Sequence, residues 1–300
     1  MEQKKYKLGL ALSGGGAKGF AHCGALQALE DFGLKPDIIS GTSAGAIAGS
    51  LYAAGNTPVE ISKMFFGKEF TQFVKLLIPK SGLFDHAPFK LFLEENLKVK
   101  RIEDLDIPMC VVASDLDNGV SKVFTEGDIA PRILASCALP VIFNPVVIDG
   151  IHYVDGGIFQ NFPVSPIRDI CEKVIGVNVS PIVSDDYKQN IVKIAMRSYH
   201  FMFRANAIED CELCDYLVQV RDSEQYGTFD LDNINMIFMN GYNTTVAALE
   251  DHYGLQRKRE FDFNNLPVAD TKEDVLSKLK KWTDALLDRE KPKKKVAELE

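Results

Sequence analysis

Asp37-Ile-Ile-Ser-Gly-Thr-Ser-Ala-Gly45 is the stretch on which the reading of the fold turns. Asp37 to Ser40 reads as a short strand, Gly41 breaks it, and Ala44, Ile47, Ala48 and Leu51 then recur at helical spacing until Gly55. Upstream, the same order has already occurred once. Tyr6 to Ser13 reads as a buried strand, Ser13-Gly-Gly-Gly-Ala-Lys-Gly19 as a loop, and Phe20 to Phe32 as a helix with Cys23, Leu26 and Leu29 on one face, closed by Gly33 and then Pro36. Two strand–loop–helix units in succession predict parallel strands and an α/β class.

Both loops invite a chemical reading. Gly14-x-Gly16-x-x-Gly19 satisfies the dinucleotide fingerprint, and Gly14 and Gly19 have the glycine spacing of a P-loop. A P-loop needs Lys and then Ser or Thr after its last glycine to meet phosphate and magnesium, whereas Phe20 and Ala21 follow here. A dinucleotide site needs an acid at the end of the second strand to hold the ribose, and Asp37 stands at its beginning. What stands at the end is Gly41-x-Ser43-x-Gly45, the nucleophile-elbow pattern, in which small residues on both sides allow a sharp turn that exposes a serine hydroxyl. An ordinary glycine-flanked turn before a helix has the same five residues. Strand, turn and helix in succession are the context the elbow requires, and the helix start brings backbone N–H groups and a positive dipole end to the same hydroxyl.

A serine at its free pKa needs a group to accept its proton. Of the five histidines, His22 and His86 lie in the N-terminal half, and His200 and His252 fall on expected helices without loop signals. His200, in Tyr199-His-Phe-Met-Phe203, reads as an aromatic core position, and His152, alternating with Val154, as a packed strand residue. Asp155 is the better candidate, because it follows the strand Ile151 to Val154 and Gly156-Gly157 lets the backbone turn away from it. A plain Asp-Gly-Gly turn is the alternative, although Asp149-Gly150 already closes the preceding hairpin with Val146 to Ile148. An aspartate with an ordinary pKa near ~3.9 is a weak base for a hydroxyl, and burial at a dry strand end strengthens it. Attack on an ester then creates an oxyanion, for which the successive glycines of the first loop can supply positioned N–H donors.

Gly14-Gly-Gly-Ala-Lys-Gly19, Gly41-Thr-Ser-Ala-Gly45, Ala135-Ser-Cys-Ala-Leu-Pro140 with Phe143-Asn-Pro145, and Asp155-Gly-Gly157, in this order and spacing, resemble the four blocks of the patatin-like phospholipase family. Pro108 to Asp115 and Ser81-Gly-Leu-Phe-Asp85 are similar to family sequence as well, so that the likeness covers about residues 6 to 180. The resemblance implies a three-layer α/β/α fold with a mostly parallel central sheet, and a Ser-Asp dyad without a catalytic histidine. On it, Ser43 is the nucleophile in an elbow framed by Gly41 and Gly45, and Asp155 is the base. Gly14, Gly15 and Gly16 form the oxyanion hole, and Lys18 stands where the family has Arg or Lys supporting that loop. The implied chemistry is hydrolysis of acyl esters of phospholipids or lysophospholipids through a serine-bound acyl intermediate, with no cofactor and no metal. A catalytically silent lipid-binding or regulatory protein with the same fold is the alternative.

The rest of the 300 residues sets bounds. An apolar fraction of 46% supports one sizeable α/β core with a helical C-terminal elaboration, and the net charge of -8 argues against a general nucleic-acid binder. The start lacks the pattern of a secretory leader, and no apolar run approaches the ~20 residues that span a bilayer. A cytoplasmic location follows as the expectation, with a lipid or acyl-ester substrate and only transient, peripheral contact with a membrane surface. The expected divisions are a catalytic core over 6–180, a mostly helical part over 181–288 packed on it, and a frayed basic tail over 289–300. Within the second, Val192 to Cys211, Met236 to His252 and Lys272 to Leu287 read as helices, and a strand falls near Tyr216 to Val220. Thr57-Pro-Val-Glu60 is a capping box that starts a further helix. Between Phe65 and Phe92 lie seven phenylalanines, which suit a lid or an acyl-chain wall as well as an ordinary buried helical layer. Cys211-Glu-Leu-Cys214 has metal or redox spacing, but with no second pair it reads as two helical core cysteines.

Overall fold

The computed structural model describes residues 4–76, 81–180, 190–221 and 225–268. The expected helix Lys272 to Leu287 and the basic tail lie outside them. Met1–Leu266 forms one compact unit.

Strand β1 (Tyr6–Leu12) leads through a single helical turn into α1 (Phe20–Phe32), and β2 (Ile38–Thr42) turns directly into α2 (Ala44–Ala53), followed by α3 (Pro58–Phe65). The short strands β3 (Lys75–Leu76) and β4 (Gly82–Asp85) precede α4 (Ala87–Asn96). After them come β5 (Met109–Asp115), β6 (Val120–Phe124), α5 (Ile129–Cys137), β7 (Val141–Phe143), β8 (Val146–Ile148) and β9 (Ile151–Asp155). Two one-turn helices, α6 (Gly157–Gln160) and α7 (Ser165–Arg168), lead into β10 (Cys171–Asn178), and α8 (Ile191–Glu212), β11 (Tyr216–Gln219) and α9 (Ile234–Ala247) follow, with a short helical turn at Phe263–Asn265 after them.

Local chemistry accounts for several boundaries. Gly33 ends α1 in the left-handed region at φ 73° and returns its N–H to the Glu30 carbonyl. The capping box at α3 is present in full, with the Glu60 N–H donating to Thr57 Oγ1 and the Thr57 N–H to the Glu60 carboxylate. Asp149 at φ 52° and Gly150 at φ 81° form the primed turn that joins β8 to β9. The helix expected from Met236 begins at Ile234, and its closing turn, Ala248–His252, is π-helical.

The main sheet runs β11-β10-β1-β2-β5-β9-β8, with β6 on the second edge of β5. The five strands from β11 to β5 are mutually parallel, and β6, β8 and β9 are added antiparallel. Alternation along the buried strands feeds two cores. Leu10, Leu12, Ile39 and Val111 face one side, with α1, α2, α5 and α9, whereas Ala11, Ile38 and Cys110 face the other, with Ile167 of α7 and Ala207 of α8. This is a three-layer α/β/α fold with a mostly parallel central sheet. β3, β4 and β7 form a separate small sheet.

Where α1 crosses α9 the helices touch at the backbone. A side chain on Gly24 would run into the Phe238 carbonyl, and one on Gly241 into the Ala21 carbonyl. Cys211 lies in the last turn of α8, but Cys214 falls past its end, so the pair is not helical throughout; burial pushes the Cys214 thiol up to about 12.

Candidate active site

The site is built where two strands meet end to end. Strand β2 runs parallel to β5 and finishes with Thr42 opposite Val112, while β9 runs antiparallel and finishes with Asp155 opposite Ala113. β6 fills the opposite edge of β5 over Val111 to Asp115, which leaves β2 and β9 sharing the remaining one. The two chains arrive head-on at adjacent positions and both leave the sheet there. Ser43 and Asp155, more than a hundred residues apart in sequence, are therefore neighbours.

Ser43 sits at φ 51° and ψ -117°, a strained conformation for a residue with a side chain. The turn is tight enough that a side chain on Gly41 would strike the Gly45 carbonyl, and one on Gly45 the Leu12 carbonyl. Ser43 donates its N–H to Ser136 Oγ at 2.7 Å, and the Ser136 hydroxyl in turn donates to the Val112 carbonyl at 2.5 Å. The same α5 terminus holds the other chain, because the Gly156 N–H donates to the Ser136 carbonyl and the Asp155 N–H to the Ala138 carbonyl. One turn of helix thus fixes the spacing between Ser43 and Asp155.

Asp155 is 3% exposed. Its Oδ1 accepts the Gly157 N–H at 2.8 Å, and the residue lines the same cavity as Ser43. Burial raises its pKa from 3.8 to about 6, against the opposing pull of the Gly157 N–H and the nearby Ser43 side chain. Cys137 lines the cavity beside them, and burial together with the Asp155 charge drives its thiol well above the usual range.

Residues Gly14, Gly15 and Gly16 line the same cavity as Ser43 and Asp155. Their N–H groups are not equivalent. Gly14 donates to the Asn161 carbonyl at 2.9 Å, so it is occupied, while the N–H groups of Gly15 and Gly16 have no partner among the described residues. Ala17, one residue on, donates to the Thr228 carbonyl at 2.7 Å. Lys18 lies close enough to His200 for its charge to help hold that imidazole neutral. His22 is fully buried and bonded through Nε2 to the Ser13 carbonyl at 2.8 Å; burial lowers it to about 4, so a neutral ring braces the loop.

Away from these polar groups the cavity is apolar, walled by Phe20, Phe65, Phe73, Phe143, Phe203 and Phe229 among others. The phenylalanine-rich stretch divides between wall and packing: Phe65, Phe70, Phe73 and Phe89 line the cavity, and Phe92 backs them at 4.8 Å from Phe65 and 5.1 Å from Phe73.

Two histidine expectations require correction. His200 is a cavity-lining residue, 6.2 Å from the Phe203 ring, and burial lowers it to about 4. His152 is exposed and pairs with Asp117 at 3.1 Å, because strand alternation puts it with exposed Val147 on the outward face of the β8–β9 hairpin.

The patatin-like phospholipase family model matches residues 10–167, a span that holds the glycine loop, the Ser43 turn, the α5 terminus and Asp155. The chain belongs to the patatin-like phospholipase family. It is 32% identical over 178 residues to patatin-like phospholipase domain-containing protein 7 of Rattus norvegicus, covering 56% of this chain and 13% of that protein. An uncharacterized NTE family protein of Mycobacterium tuberculosis is 34% identical over 169 residues, covering 55% and 46%. The lysophospholipase NTE1 of Kluyveromyces lactis is 28% identical over 297 residues, covering 88% and 20%. The patatin-like chain thus spans less than half the length of these curated relatives.

Several residues of the patatin-like site carried no chemical signal in the sequence. Ser136 stood inside a family block without a role. Asn206 of α8 holds the turn after Asp155 by donating to the carbonyls of Gly157 and Ile158 and accepting the Asn161 N–H. Thr228 holds the glycine loop from more than two hundred residues away. Neither lies in a motif. No helix among the described residues is long and apolar enough to cross a membrane.

Proposed function

We propose that this chain is a serine acyl hydrolase that cleaves acyl esters of phospholipids or lysophospholipids through a Ser43–Asp155 dyad. The observation that carries this reading is the meeting, in one apolar cavity, of Ser43 on a strained positive-φ turn with the buried carboxylate of Asp155 at the adjacent strand end. Asp155 takes the proton of Ser43 as Oγ attacks the ester carbonyl, and the carbonyl electron pair moves onto oxygen. The free N–H groups of Gly15 and Gly16 and the N-terminal end of α2 receive that charge. Collapse expels the alcohol, which leaves with the proton from Asp155, and water repeats the sequence on the acyl-serine. The relatives' names, phospholipase and lysophospholipase, agree with an acyl chain in this cavity.

Purified protein is expected to release p-nitrophenol from a medium-chain p-nitrophenyl ester and to be labelled by a fluorophosphonate. Ser43→Ala should abolish both while melting normally. Full turnover by that variant would sink the mechanism, and a wild type that neither turns over nor labels would instead fit a silent lipid-binding protein.

A further inference from the structure

With Gly14 committed to Asn161, the glycine loop offers an oxyanion two N–H groups instead of three. The residue whose carbonyl accepts the Gly14 hydrogen bond also carries a substitute. Asn161 is 1% exposed and lines the cavity beside Ser43 and Asp155. Its backbone is clamped at both polar groups, the N–H donating to Asn206 Oδ1 at 2.9 Å and the carbonyl accepting from Gly14. Its side-chain amide, by contrast, has no hydrogen-bond partner among the described residues, and Oδ1 is wholly buried without one. Room for that amide exists only because residues 14 and 157 lack side chains, since a Cβ on either would press against Oδ1.

An amide with no protein partner calls for an explanation, and because Oδ1 is held against Gly14 and Gly157, the end that can serve a ligand as donor is the NH2. Other unpaired buried atoms, such as Ser40 Oγ, Ser50 Oγ and His22 Nδ1, belong to residues that do not line the cavity. Asn161 does, and its amide lies against Gly14, beside which Ser43 Cβ also stands.

We propose that the Asn161 side-chain amide is a catalytic oxyanion donor, presenting its NH2 to the carbonyl oxygen of the acyl ester alongside the N–H groups of Gly15 and Gly16. This rests on the Ser43–Asp155 reading. The amide transfers no proton. As the Oγ–C bond forms and the carbonyl pair moves to oxygen, its N–H bond strengthens toward the new charge, and as the C–O bond to the alcohol breaks, it relaxes. The unpaired state of the free enzyme is then preorganisation, with no protein bond to break on the way to the transition state.

The test compares wild type, Ser43→Ala, Asn161→Ala and Asn161→Asp, the last keeping the size while removing the donor. Steady-state kinetics on a medium-chain p-nitrophenyl ester are paired with inhibition by an alkyl trifluoromethyl ketone, which forms an oxyanion adduct with the serine, and by the corresponding alcohol, which cannot. Both Asn161 variants should lose about 100- to 1000-fold in kcat with KM within about twofold. Affinity for the ketone should fall in parallel while affinity for the alcohol stays unchanged. A kcat within about threefold of wild type in Asn161→Ala, or in Asn161→Asp if the alanine variant does not fold, overturns the assignment. So does an equal loss for ketone and alcohol, which marks a merely structural residue. If turnover in the wild type does not depend on Ser43, the underlying reading fails first, and this inference with it.

Discussion

Almost wholly removed from water, Asp155 keeps its proton until about pH 6, and a protonated carboxyl cannot accept another from Ser43. In the proposed reaction kcat/KM should therefore rise through a single ionisation near pH 6 and level off above it; a limb near 4 would mean the carboxylate is not desolvated in the working enzyme. The same shift has a stability cost of opposite sign. A carboxyl whose folded pKa is raised from 3.8 to about 6 favours folding fully below pH 3.8 and loses that contribution as pH rises through 6. Asp155→Asn keeps an acceptor for the Gly157 N–H and sheds the buried charge. It should be inactive yet more stable than wild type at pH 8 by about 2 to 3 kcal/mol, with the advantage gone below pH 4 in urea titrations. Ser43, held at positive φ, and Asn161, left unpaired, are further places where stability is given up for geometry.

Among the elements, the α1–α9 crossing and the α5 terminus set the tolerances. Gly24 and Gly241 bring two backbones into contact, and any side chain there forces the helices apart. Gly241→Ala is expected to lose about 1 to 3 kcal/mol by denaturant titration, and a neutral result would mean that α9 shifts freely. Periodicity predicted both helices from the sequence, but it holds no information about which partner each one meets. The glycines read as interruptions in helical patterns when they are contact points. At the α5 terminus the situation is similar. Ser136 looks like any small polar residue near a helix end, and only the fold reveals its bonds to the turns after both β2 and β9.

At the scale of the whole molecule, the cavity draws on segments from Gly14 to Leu231, so the region after residue 180 is part of the pocket wall through His200, Phe203, Thr228 and Phe229. An acyl chain that enters such a wall gains about 0.8 kcal/mol, roughly fourfold, per buried CH2. In the proposed hydrolase kcat/KM on p-nitrophenyl esters should climb steeply from acetyl to octanoyl, and a flat series would show that the chain stays outside. By itself, the sequence determined the strand–turn–helix units, the parallel α/β class, the serine at a sharp turn and the aspartate at a strand end, because each depends on spacing within about ten residues and on local backbone sterics. Tertiary structure alone decided that β2 and β9 meet head-on along one edge of β5, that Gly14 is already bonded, and that Asn161, Asn206 and Thr228 belong to the site. Those outcomes depend on which long-range pairings bury the most apolar surface while satisfying the backbone, and no local pattern encodes them.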